Sequence, residues 1–221
     1  MADEQLTKSD AVTVRRKPER ADYRRETANA ILDEALVAHV GISVDGQPFV
    51  IPMAFGRDGD RIILHGSVAT RLLRELDAGV RVCVTVTLVD ALVLARSQFH
   101  TSMNYRSVVI VGTARRIRDL DTARRAMAAL VEHVVPGRTA EARPPTDAEL
   151  RQIAVVELPI DTASVKMRTG GPIEEPEDME LPIWAGVVPL RTTLGTPEPD
   201  GQGVADAALP PSLLPYRRPG S

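Results

Sequence analysis

Two tight-turn signals, Asp45-Gly46 and Asp58-Gly59-Asp60, separate three short apolar runs, at 36–44, 47–57 and 61–64. Asp-Gly is favoured in two-residue hairpins because both turn positions need positive φ. The runs are therefore read as antiparallel hairpin strands. Pro48 and Pro52 interrupt the second run. Proline cannot donate to a ladder, so this strand belongs at an edge, at a bulge or where the ladder opens.

The later chain continues the pattern. Residues 80–88 are rich in β-branched side chains, and 89–94 either extend that strand or bulge. Residues 105–117 alternate as a strand with Gly112 in the middle, and 153–167 form a last strand region broken at Pro159. Helical segments are expected at 22–35, 68–77 and 121–134, the last stopped by Pro136-Gly137. A short helix begins at Thr146. Strands do not alternate regularly with long helices, which argues against a doubly wound parallel sheet. The expected fold is mainly β with helices (α+β), a six- or seven-stranded antiparallel barrel with helices packed on its ends.

Domain boundaries follow composition. Residues 1–20 are polar and read as a solvated arm, and residues 21–170 form the folded domain. Ten of the 17 prolines lie in residues 171–221. Residues 171–195 are an extended arm packing on the barrel or a partner subunit, and 196–221 a flexible Pro-rich tail. The only tryptophan, Trp184, lies in the arm within a run suited to docking.

Composition excludes several classes. Of 221 residues, 43% are hydrophobic and 26% charged, enough for one good core. Net charge is −3, and no basic block is long enough for nucleic acid to be the main partner. No apolar run approaches the roughly 20 residues of a membrane span. The first ten residues lack a secretory h-region, so a cytoplasmic location is expected. The single cysteine, Cys83, excludes an intrachain disulfide and reads as core filling. Four histidines (His39, His65, His100 and His133) show no short-spaced cluster, so no metal signature is present.

The segment from Arg61 to Leu76 carries the clearest chemistry. It reads as an apolar strand, a His65-Gly66-Ser67 turn and an amphipathic helix. Ser67 suits an N-cap. The first charge after it is the cation Arg71, mildly unfavourable at a helix N-terminus unless an anion rests there. The alternative is a capped surface helix with arginines in water.

Four pieces in this order resemble the FMN-binding split-barrel family, which is like pyridoxamine 5'-phosphate oxidase. The closer branch holds flavin-nucleotide-binding and nitroimidazole-resistance proteins. The pieces are 50–55 (VIPMAF), 64–67 (LHGS) with Thr70-Arg71, 105–112 (YRSVVIVG) and 184–190 (WAGVVPL). The resemblance covers roughly residues 20–190. It implies a homodimer with two FMN sites between split barrels. Ser67, Thr70 and Arg71 would hold the phosphate, with Gly66 in the turn and His65 beside the ribityl chain or ring. Ile51, Pro52 and Met53 would run under the isoalloxazine edge. Tyr105, Arg106 and Ser107 would approach the flavin, and Trp184 would close one side. Relatives often carry one more cation in the phosphate turn. Here the turn reads Ala69-Thr70-Arg71-Leu72, and Arg106 is the candidate to compensate.

The resulting reading is an FMN-dependent oxidoreductase that takes electrons from a donor such as NAD(P)H and reduces a small nitro or quinone acceptor. His65 is the one candidate proton donor, near neutral pH. Two alternatives stand beside it. One is a non-catalytic flavin- or haem-binding or sensing module, with His65 or His100 as axial ligand. The other is an F420-dependent reductase, its anionic tail held by Arg15, Arg16 and Arg20.

Overall fold

The computed structural model describes residues 4–202 and 208–213. Strand β1 is Ala21–Asp22, followed by helix α1 (Arg25–Glu34) and strands β2 (Val37–Val44), β3 (Gln47–Ala54), β4 (Gly56–Asp58) and β5 (Arg61–Ser67). Helix α2 (Arg71–Asp77) leads to β6 (Arg81–Leu94), β7 (Ser102–Thr113) and β8 (Arg115–Arg116). Helices α3 (Leu120–Val134) and α4 (Asp147–Gln152) precede β9 (Ile153–Pro159), β10 (Ala163–Arg168) and, in the arm, β11 (Gly186–Pro189).

The strands form two antiparallel sheets. The larger has the order β1-β10-β7-β6-β2-β3, with β11 also on β6, and the smaller the order β4-β5-β9-β8. Three chain segments pass from one sheet to the other almost without a loop: β3 into β4 across Phe55, β7 into β8 across Ala114, and β9 into β10. These corners join the sheets into a split barrel, as the sequence predicts.

The apolar patterns explain the layers. Val40, Val84, Val108, Ile110 and Val165 of the large sheet meet Ile62, Leu64, Val156 and Leu158 of the small one, with Ile31 and Leu32 of α1 closing the core. Ile63 and Val155 point the other way, onto Ala123, Ala126 and Leu130 of α3 and Leu150 of α4. The small sheet is thus covered on both faces, which is why Ile62, Ile63 and Leu64 are consecutive apolar residues. Gly56 permits the close approach of α3, since a Cβ there would lie 2.5 Å from Leu130 Cα.

Local signals behave as their chemistry demands. Asp45 and Gly46 have φ of 51° and 79°, the paired positive values of a tight hairpin. Thr146 and Glu149 form a reciprocal capping box on α4, and Asp119 caps α3 through the Thr122 amide. Strand β6 runs through residue 94 and also bulges, with a register shift between Val89 and Ala91.

Three expectations are corrected. Helix α2 starts at Arg71 with Thr70 as N-cap, not at 68 with Ser67 as cap. Ser67 is instead the last residue of β5, paired with Ile153. The N-terminal arm is not wholly solvated: Leu6 and Val12 are buried, and Gln5 and Thr7 bridge to Arg24 and Thr162. Strand β7 begins at Ser102, inside a region expected to be irregular. The tail expected over 196–221 lies in part outside the described residues. Among those residues, no helix is long and apolar enough to cross a membrane.

Candidate functional site

The turn between β5 and α2 is built on Ser67. The Thr70 amide and hydroxyl both donate to the Ser67 carbonyl, at 3.0 and 2.9 Å, and the Ala69 amide donates to Ser67 Oγ at 3.2 Å. The Thr70 proton is therefore spent inside the turn, whereas Ser67 accepts there and keeps its own O–H free to donate. Gly66 lets the turn fold onto the helix, since a Cβ would meet Leu73 Cδ2 at 3.2 Å.

Arg71 is exposed, and among the described residues it makes no ion pair. Its Cζ sits 4.3 Å from the centroid of the Phe49 ring on β3. This cation–π contact holds the guanidinium against β3. A helix of two turns such as α2 offers little dipole, so any anion here would depend on Arg71 and the Ser67 hydroxyl.

Phe49 was not singled out by the sequence. On a strand whose other side chains are exposed, Phe49 and Met53 are the half-buried pair packed on the core. The contact brings β3 against the turn. β3 is a sheet edge, with Ile51 and Pro52 exposed and Val50 62% exposed. Its outward backbone groups are available to a ligand's polar rim.

His65 on β5 is half-buried, opposite Val155. Its Nδ1 is buried and unpartnered among the described residues. Burial pushes the imidazole below its ordinary pKa of 6.5, so the ring is held neutral. A neutral imidazole is the form that binds a metal centre such as haem iron.

The other candidates lie elsewhere in one copy of the chain. Tyr105, Arg106 and Ser107 are on β7, three strands from β3, or about 14 Å at roughly 4.8 Å per strand. Arg106 is held by Glu34 at 2.8 Å and Asp90 at 2.7 Å, which raise its pKa further. The Ser107 hydroxyl donates to the Lys166 carbonyl at 3.1 Å. Trp184 is 64% exposed, its ring over Gly186, which pairs with Leu94. Pro52 aligns through His39 with Thr85, so at roughly 3.3 Å per residue Trp184 lies about 30 Å along β6 from it.

The remaining histidines have protein partners or open surroundings. His100 Nε2 lies 3.2 Å from Glu175. His133 Nδ1 accepts from the Arg57 amide at 3.4 Å and its Nε2 donates to the Ala35 carbonyl at 2.8 Å, a clamp between α3, β4 and the end of α1. His39 is exposed on β2. Arg15 pairs with Asp10 at 3.4 Å, and Arg16 is exposed.

Comparison with known proteins adds the following. The family described as pyridoxamine 5'-phosphate oxidase matches residues 24–167. The flavocytochrome Anf3 from Azotobacter vinelandii is 41% identical with a TM-score of 0.88, over 95% of this chain and 97% of that one. An FAD and haem binding protein from Mycobacterium smegmatis is 38% identical with a TM-score of 0.85, over 88% and 96%. A structure described as a 5-nitroimidazole antibiotic resistance protein from Bacteroides thetaiotaomicron is 24% identical with a TM-score of 0.55, over 66% and 86%, a likeness of fold. No curated protein matches the chain.

Proposed function

The chain belongs to the pyridoxamine 5'-phosphate oxidase family, and on that premise we propose that it is a redox protein binding both a flavin and a haem. The observation that carries the reading is His65, a half-buried imidazole held neutral, whose Nδ1 has no partner among the described residues, two residues before the Ser67 turn and six before Arg71. Similarity to a flavocytochrome and to an FAD and haem binding protein supports it. The second likeness favours FAD over the FMN that the sequence suggests.

A bound flavin supplies two-electron chemistry and a bound haem one-electron chemistry. The chain's own residues do the rest. Arg71 and the Ser67 hydroxyl hold an anionic phosphate, with the arginine pre-oriented by Phe49. Ile51, Pro52 and Met53 offer an apolar strip with unpaired edge groups for the ring system. His65 would be the residue to hold the haem iron rather than a proton donor, because burial opposes its charged form.

We also infer a homodimer. Strand β3 exposes Val50 and Ile51 on an unpaired edge, and the arm exposes Leu181, Ile183, Trp184, Val187 and Val188. Exposed apolar rows of this kind mark association surfaces. In one copy Trp184 and Tyr105 are distant from β3; a second copy is the means by which they reach the same cofactor.

The direct test is chemical. Pigment released from the purified protein is identified by chromatography, and reduction by NADH or NADPH followed by turnover with nitro and quinone acceptors is recorded. FAD with haem supports the reading, and acceptor turnover above that of free flavin makes the protein an enzyme. Release of neither cofactor, with no uptake of either when added, removes it.

A further inference from the structure

A second feature stands apart from the Ser67 turn. Arg168, at the end of β10, is 6% exposed, the only arginine in the buried class among the described residues. Its Nη1 donates to Asn104 Oδ1 and to the Gly170 carbonyl, and its Nη2 to the Gly171 carbonyl at 3.0 Å. All three acceptors are neutral, and two N–H groups are left over.

The other sheltered arginines are treated differently. Arg25, Arg57, Arg61, Arg96 and Arg106 each face at least one carboxylate. Arg168 has none among the described residues. Burying a charge without a counter-charge is unfavourable even when neutral groups accept its hydrogen bonds. Its neighbour is a second cation, Arg20, also without an ion pair among the described residues. Burial and the like charge of Arg20 both lower the Arg168 pKa.

The two arginines line a cavity of ≈ 350 Å³ with Glu19, Ala21, Asp22, Met167, Thr169, Gly171 and Ile173. Asp22 is already engaged by Arg24 at 2.6 Å and Thr27 at 2.8 Å. Glu19 is exposed and makes no ion pair among the described residues. Met167, Ala21 and Ile173 give the cavity an apolar wall.

We propose that Arg20 and Arg168 form an anion site that takes the carboxylate or phosphate of a small molecule whose apolar body lies against Met167 and Ile173. Arg168 pairs with Tyr105 on β7, the strand that a second copy would bring to the cofactor, although within one copy β10 is four strands from β3. The anion therefore has two sources: a separate ligand, or an anionic group of the chain's own cofactor. The site stands on the cavity and does not depend on a flavin being present.

The test is calorimetric titration of the purified full-length protein with inorganic phosphate, alongside Arg20→Ala and Glu19→Gln. Arg20 is half-buried and makes no ion pair among the described residues, so its truncation is expected to leave the fold intact; pigment content is recorded by absorbance for each protein. If a separate ligand uses the site, phosphate binds the wild type. Arg20→Ala then weakens it by about tenfold or more, as expected for one lost charge-assisted bond. Glu19→Gln tightens it by a few-fold, an effect that structural damage would not give. If the cofactor fills the site, loaded protein ignores phosphate and Arg20→Ala lowers pigment content. Phosphate binding indifferent to Arg20, or no phosphate binding with pigment content unchanged in Arg20→Ala, overturns the proposal.

Discussion

The guanidinium of Arg71 stacks on Phe49, 4.3 Å from Cζ to ring centroid, and so ties the turn before α2 to the edge strand β3. Arg71→Ala is expected to weaken a phosphate-bearing flavin by about tenfold to a hundredfold and riboflavin hardly at all. Phe49→Leu keeps the charge and loses the stack, worth about 0.5–1 kcal/mol at an exposed site, so it weakens the same flavin only a few-fold. Fluorescence titration with both ligands checks this; equal losses for flavin nucleotide and riboflavin would contradict the role of Arg71.

His65 gives a pH signature. Burial lowers its folded pKa below 6.5, so the unfolded chain takes up the proton first as pH falls. Stability is therefore unaffected above the unfolded pKa and decreases as pH drops below about 6.5 toward the folded value. Denaturant melts of cofactor-free protein from neutral to mildly acidic pH should show this slope, and His65→Gln should flatten it.

Asp22 acts in the same direction as His65, its stabilisation also lost as pH falls, but at lower pH and with the charged form favoured by the fold. Hydrogen bonds from Arg24 and Thr27 hold its carboxyl down to about 2, from 3.8. The depressed value stabilises the fold above 3.8 by about 2 kcal/mol, and that contribution is lost as pH falls from 3.8 toward 2. Asp22→Asn should lower stability at pH 7 by roughly that amount and leave little difference from wild type at the acid end.

Gly56 sets the distance between β4 and α3. A Cβ would meet Leu130 Cα at 2.5 Å, and backbone cannot rotate aside. Gly56→Ala should cost about 1–3 kcal/mol or more through overpacking, whereas Gly59→Ala, where a Cβ meets nothing within 4 Å, acts only through its φ of 57°. Thermal melts of the two variants separate packing from backbone strain.

The exposed edge yields an association prediction. Val50 is 62% exposed in one copy, so Val50→Glu should change monomer stability by only about 0.5 kcal/mol. In an assembled dimer the same charge lands in an apolar contact. Light scattering should find wild type dimeric and Val50→Glu shifted toward monomer; a monomeric wild type would remove the inferred assembly.

What could be read from the sequence divides by range. Asp45-Gly46, the prolines of β3 and the Thr146–Glu149 box act over a few residues, and each announces its structure. The antiparallel split barrel follows from them. The start of α2 is not legible because Ser67 has two competing uses, and pairing with Ile153 of β9 prevails over capping. Leu6 gave no periodicity in a polar arm, yet it is buried in the core. At the site, Arg71 and the Ser67 turn are local and legible. The partners of Arg106 are not: Glu34 is on α1 and Asp90 on the far part of β6, and nothing near Arg106 in sequence announces either. Neither the contact of Phe49 with Arg71 nor the isolated charge of Arg168 has a local signal.

The most direct measurement is the visible absorption spectrum of the purified wild-type protein, saturated with FAD and haemin and freed of excess, beside His65→Ala. The account predicts oxidised-flavin bands together with a Soret band in the wild type, and in His65→Ala the flavin bands retained with the Soret band lost or reduced to that of loosely held haem. A wild type that retains neither chromophore, or a Soret band unchanged in His65→Ala, would contradict it.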